Sequence, residues 1–133
     1  MPDAVTDAIT DEITGLAGVL VWTSADRFEA MARFYCDTLA LPVRTARDGF
    51  VSFAWPGDVR LTLTLHDRVD GTARDPDRLM INLHVADIAA VAARLGDAGV
   101  RFDRPPQREP WGGWIATFRD PDGNTLQLLQ SAT

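Results

Sequence analysis

The feature that most narrows the folds open to this chain is an internal repeat. The order strand, helix, hairpin occurs twice, at a period of about sixty residues. In the first half "LAGVLVWT" (Leu16–Thr23) is an apolar run of strand length. "DRFEAMARFYCDTLALP" then changes period: Phe28, Met31, Tyr35 and Leu39 recur at three- and four-residue steps, the spacing of a buried helix stripe. Asp26 is the expected N-cap, Glu29 completes a capping box, and Pro42 lies just past the end. "GFVSFAW" and "VRLTLTLH" alternate at period two and meet at "PGD" (Pro56–Asp58), which reads as a hairpin.

The second half repeats the order. "LMINLHV" (Leu79–Val85) is a strand. "DIAAVAARLGDAGV" is a helix capped by Asp87, with Ile88, Val91, Leu95 and Ala98 on one stripe and Gly99 as its stop. "GWIATFRDPDGNTLQLLQ" supplies two strands and a tight turn. Asp26 and Asp87 open the two helices, and Gly57 and Gly123 fall in corresponding hairpins.

The expected fold class is α+β: two βαβββ modules in one structural domain, over 13–67 and 79–131, with a polar linker at 68–78 and an acidic flexible tail at 1–12. A chain of 133 residues suits one core. Neither half can bury its sheet face alone, so the two should pack as curved sheets around a shared cavity, with helices on the outside.

Charge and composition exclude some classes. The net charge is −6 and no Lys/Arg cluster runs along an expected helix, so no nucleic-acid partner is expected. No apolar run approaches the ~20 residues of a membrane span, and "MPDAVTDAITDEI" is acidic where a secretory signal is basic and then apolar. A cytoplasmic location without membrane contact is the expectation. The single Cys36 can form neither an internal disulfide nor a cysteine metal cage, and reads as a small, partly buried apolar residue. No G-x-S-x-G and no Gly-rich phosphate loop marks a catalytic site.

Asp120, Asp122 and Asn124 alternate as in the first half of an EF-hand loop. The sixth and twelfth places, which need Gly and Glu, hold Thr125 and Ser131, so calcium is rejected. Pro121 presets the turn, Asp120 can accept bonds from backbone two residues on, and Gly123 can take the left-handed conformation that closes it. "DPDGN" is a turn.

"FRDPDGNTLQLLQ", the preceding "PWGGW", the Phe34–Tyr35 pair late in the first helix and the paired modules together resemble the glyoxalase, bleomycin-resistance and extradiol-dioxygenase (vicinal oxygen chelate) superfamily, over about Ile13 to Gln130. The resemblance implies homodimers. In the superfamily's enzymes it also implies one divalent metal held by His, Glu or Gln from the first and last strands of each half. Here Gly18, or Leu20 after a slip of two, stands at the first place, Met80 at the third and Gln127 at the last. For the strand 59–66 two registers are open: one puts Leu61 or Leu63 at the ligand place, the other turns Arg60, Thr62, Thr64 and His66 outward. Of these only Gln127 is a ligand the family uses, since an amide oxygen can bind a metal and apolar or thioether groups serve such ions poorly.

The reading is therefore a glyoxalase/bleomycin-resistance-like protein that binds a small aromatic or partly apolar molecule, without a metal cofactor and with no catalytic residue assigned. The candidate ligand-binding residues are Trp22, Met80, Asn82, His84, Trp111, Gln127 and His66. Trp22 and Trp111 are chosen among four tryptophans because indole stacks well on planar ligands. Two alternatives stay open. One is a metal-dependent lyase, isomerase or dioxygenase using Zn, Ni, Mn or Fe on a displaced site from His66, His84 and Gln127. The other is a metal-free enzyme with His66 or His84 as general base.

Overall fold

A computed structural model describes residues 12–57 and 59–132, so all of the expected acidic tail but Glu12 lies outside the described residues. The first module runs β1 (Gly18–Thr23), α1 (Phe28–Arg33, widening into a π-helical turn at Phe34–Thr38), β2 (Val43–Arg47), β3 (Phe50–Ala54) and β4 (Arg60–Leu65). The second runs β5 (Met80–His84), α2 (Ile88–Asp97), β6 (Phe102–Arg108), β7 (Trp114–Arg119) and β8 (Thr125–Gln130). The two sheets have the same order, β1-β4-β3-β2 and β5-β8-β7-β6, with parallel β1–β4 and β5–β8 pairs and the rest antiparallel. This is the expected α+β arrangement of two βαβββ modules, and the two sheets do not close on each other. Among the described residues no helix is long and apolar enough to cross a membrane.

Alternation decides which face of each sheet is covered. Val21, Val51, Phe53, Leu61 and Leu63 point to the helix side of the first sheet, and Ala116, Phe118, Leu126 and Leu128 to that of the second. Met31, Tyr35 and Leu95 of the helices join both sets in one continuous core. The open register of β4 is thereby fixed: Leu61 and Leu63 are core, while Arg60, Thr62 and Thr64 pair with Gly18, Leu20 and Trp22 on the opposite, open face.

Helix α2 starts as expected, the Asp87 carboxylate accepting from the Ala90 amide at 3.1 Å. Its stripe is shifted: Ala92 is buried, whereas Ala98 is the exposed C-cap, after which Gly99 turns at φ 97°. Asp26 does not cap α1. Its carboxylate accepts from Ser24 Oγ at 2.6 Å, and the cap position is Arg27, whose carbonyl takes the first helical bond from Met31 at 3.0 Å. Arg27 is held there by its own side chain, which reaches into the other module.

That reach is part of a clasp between the halves. The β7–β8 turn is closed by Asp120, which accepts from the Asp122 and Asn124 amides at 2.9 Å each and from Asn124 Nδ2 at 2.8 Å, with Gly123 at φ 87°. The same carboxylate accepts from the Tyr35 hydroxyl of α1 at 2.6 Å. Asp122 accepts from Thr23 Oγ1 at 2.7 Å and pairs with Arg27, which also donates to the Pro121 carbonyl at 2.7 Å. Both aspartates are buried. Burial raises the Asp120 pKa, against the lowering effect of the Tyr35 and Asn124 bonds. Burial also raises Tyr35 well above its ordinary value, with the Asp120 charge and bond adding to it. "DPDGN" is thus a turn, as expected, and one whose buried acids tie the second module to the first.

Candidate ligand cleft

The strands β1 and β5 are the edges of their sheets and lie on either side of the seam between modules. A cleft of about 1060 Å³ follows this seam, bounded by Leu20 and Trp22 on β1, by Met80, Asn82 and His84 on β5, and by Trp55 of the β3–β4 hairpin. The clasp is one-sided among the described residues. In the second hairpin Asp120 precedes Pro121 and bonds Tyr35; in the first, Trp55 precedes Pro56 and has no carboxylate to offer. Among the described residues that hairpin makes no side-chain bond to the second module, and it borders the open space instead.

The β5 and β8 faces are as alternation requires. Met80 lies opposite Thr125, Asn82 opposite Gln127 and His84 opposite Leu129. Gln127 Nε2 donates to Asn82 Oδ1 at 3.0 Å, so the two amides form one neutral polar unit. His84 Nε2 is 2.8 Å from Ser131 Oγ. Met80 is half-exposed, Leu20 and Trp22 likewise, so apolar surface is open to a ligand here.

The sequence candidates are distributed unevenly. Trp22, Met80, Asn82 and His84 line the cleft. Gln127 touches it only through Asn82. His66 follows β4, accepts from the Arg68 amide at Nδ1 (3.0 Å), and packs edge-on to Trp22 with ring centres 4.8 Å apart. Trp111 lies in the β6–β7 loop, outside the cleft lining, where its ring covers Gly113 so closely that a Cβ there would fall inside it. Sequence reasoning missed Trp55, Arg60 and Arg94 as lining residues. Only Trp55 carried a signal, its position in the hairpin being that of Asp120 in the repeat.

The superfamily's metal positions can be tested on this register. On the open face β1 presents Gly18, Leu20 and Trp22; β4 presents Arg60, Thr62 and Thr64; β5 presents Met80, Asn82 and His84; β8 presents Thr125, Gln127 and Leu129. A side chain at Gly18 would collide with the backbone carbonyl of Arg60, so a metal ligand cannot be accommodated there without displacing β4. The set holds no carboxylate and one imidazole, and Thr125 Oγ1 is spent on the Pro76 carbonyl at 2.5 Å. These donors do not fit the family's divalent site. Among the described residues no three His, Cys, Asp or Glu side chains converge elsewhere.

The sequence pattern of the Glyoxalase/Bleomycin resistance protein/Dioxygenase superfamily matches residues 21–128. The chain belongs to this superfamily. Among solved structures it is similar to TnmS3, an antibiotic binding protein from Streptomyces sp. CB03234, at 28% identity and a TM-score of 0.70, over 90% of this chain and 98% of that one. A superfamily member from Sphaerobacter thermophilus DSM 20745 is 26% identical, with a TM-score of 0.68 over 90% and 98% of the two chains. A lactoylglutathione lyase from Agrobacterium tumefaciens shares the fold at 18% identity, with a TM-score of 0.67 over 92% and 97%. Comparison with curated proteins gives no match.

Proposed function

We propose that this member of the superfamily is a small-molecule binding protein that has lost the family's metal site and holds an aromatic or partly apolar ligand in the seam cleft. The observation that carries the reading is an open sheet face that presents Gly18, Met80 and the Asn82–Gln127 pair, and no carboxylate among its described residues, beside an apolar cleft. Binding needs affinity and no charged reaction centre, so a wall of Leu20, Trp22, Trp55 and Met80 with a few neutral polar groups suits it. The similarity to an antibiotic binding protein at 28% identity supports the same class. The proposal includes a cytoplasmic homodimer, the assembly that the resemblance implies.

Metal analysis of the purified protein, with thermal-shift titration against Ni, Zn, Mn and Fe(II), tests it. The expected result is substoichiometric metal and no saturable stabilisation. One equivalent of metal per chain, or a saturable shift with one ion, overturns it. A second reading, metal-free catalysis, is favoured by the His84–Ser131 contact at 2.8 Å, which places a base beside a hydroxyl. Turnover that His84→Ala abolishes would select that reading.

A further inference from the structure

The cleft differs in charge from the protein around it. The chain carries 19 acids and 13 Lys or Arg residues, yet the described lining holds Arg60, Arg94 and His84 and not one Asp or Glu. Arg94 is already committed: its guanidinium donates to the Thr38 and Leu39 carbonyls at the end of the first helix, at 2.9 and 3.4 Å. Arg60 is not paired with any described carboxylate. It begins β4 on the open face, opposite Gly18 and Ala54, so neither β-strand neighbour carries a side chain long enough to cover it. Arg60 is exposed, so its guanidinium is free to meet a ligand, and Leu16, Leu20, Trp55 and Val59 line the same cleft and offer apolar surface to the rest of that ligand.

From this arrangement we infer that the ligand of the seam cleft is an aromatic carboxylate, its aromatic part in the cleft that Trp22 and Trp55 border and its anion on Arg60. The inference rests on the small-molecule reading of this cleft and narrows it. A flat ring satisfies the indole faces, and a carboxylate matches the planar fork of Arg60, which an ammonium would repel. The acidic remainder of the surface opposes the approach of anions, so selectivity resides in the cleft.

Three compounds of one shape separate the possibilities: naphthoate, naphthylmethanol and naphthylmethylammonium, titrated by calorimetry into the full chain. Naphthoate is expected to bind about tenfold more tightly than the alcohol, and the ammonium more weakly than either. Arg60→Gln should bring naphthoate down to the affinity of the alcohol and leave the alcohol unchanged, while Arg60→Lys should keep most of the preference. Circular dichroism of both variants guards against misfolding. If the alcohol binds as well as naphthoate, or if the preference survives Arg60→Gln, the anion inference fails and the binding reading stands. If none of the three binds, both fail.

Discussion

The Tyr35 hydroxyl of the first module donates to Asp120 of the second at 2.6 Å, and both side chains are buried. Tyr35 is the one tyrosine in the chain, so tyrosinate absorbance reports on this contact alone. Its folded pKa lies well above the ordinary 10.0, chiefly through burial and then through Asp120. The neutral form is therefore favoured by folding, and the stabilisation is complete below the unfolded pKa and lost as pH rises above it through the folded value. Absorbance in the native protein should stay flat through pH 10 and rise only together with alkaline unfolding, whereas in urea it should titrate near 10. Tyr35→Phe should cost about 1–3 kcal/mol at neutral pH by leaving Asp120 one donor short. A native tyrosine that titrates at its ordinary value would contradict the buried bond.

Asp122 joins three groups at the same boundary: Thr23 at the end of β1, Arg27 before α1, and its own turn. Asp122→Ala leaves a buried hydroxyl and a partly buried guanidinium without their acceptor, and should cost about 2–4 kcal/mol in urea denaturation followed by circular dichroism. Asp122→Asn keeps an acceptor for Thr23 and removes the charge, so its cost should fall clearly below that of the alanine variant. Equal costs would mean that the charge on Asp122 carries the whole contribution.

Two glycines outside the cleft should respond to alanine with opposite signs. Gly113 is buried beneath the Trp111 ring and faces the Gln130 carbonyl, with no space for a methyl group. Gly113→Ala should cost about 1–3 kcal/mol through displacement of the indole. Gly96 sits inside α2 with nothing near its Cβ position and without a positive φ. Gly96→Ala should stabilise by about 0.5–1 kcal/mol through helix propensity. Thermal unfolding of the pair checks both signs.

What the sequence could reveal follows from the range of the interactions involved. The repeat, the Asp87 cap and the turn at Asp120–Asn124 depend on residues within a few positions of each other, and each is visible as a local pattern. The shared face of Asn82, His84 and Gln127 follows from alternation alone. The outer strands β2 and β6 followed only from counting a βαβββ unit. Val43–Arg47 is exposed throughout and Phe102–Arg108 contains two prolines, as sheet edges tolerate, so neither shows a periodic signal. Arg27 displacing Asp26 at the start of α1 depends on Asp122, 95 residues away, and no window along the chain contains both. The cleft has the same character, since it lies between two strands that are distant in sequence and are not bonded to each other.

Trp22 and Trp111 entered as equal candidates, and their surroundings separate them. Trp22 lines the seam, is half-exposed, and is steadied by the edge of His66. Trp111 covers Gly113 away from the cleft. Removing an aromatic wall from a ligand site should weaken an aromatic ligand about tenfold or more. Trp22→Ala should therefore reduce naphthylmethanol affinity by that factor, with a loss of stability of about 1–3 kcal/mol for the covered part of the ring. Trp111→Ala, at a residue 54% exposed and outside the cleft lining, should cost a similar amount of stability and leave affinity unchanged. Calorimetry and thermal unfolding on the two variants read affinity and stability separately, and loss of affinity in Trp111→Ala alone would move the ligand to the β6–β7 loop.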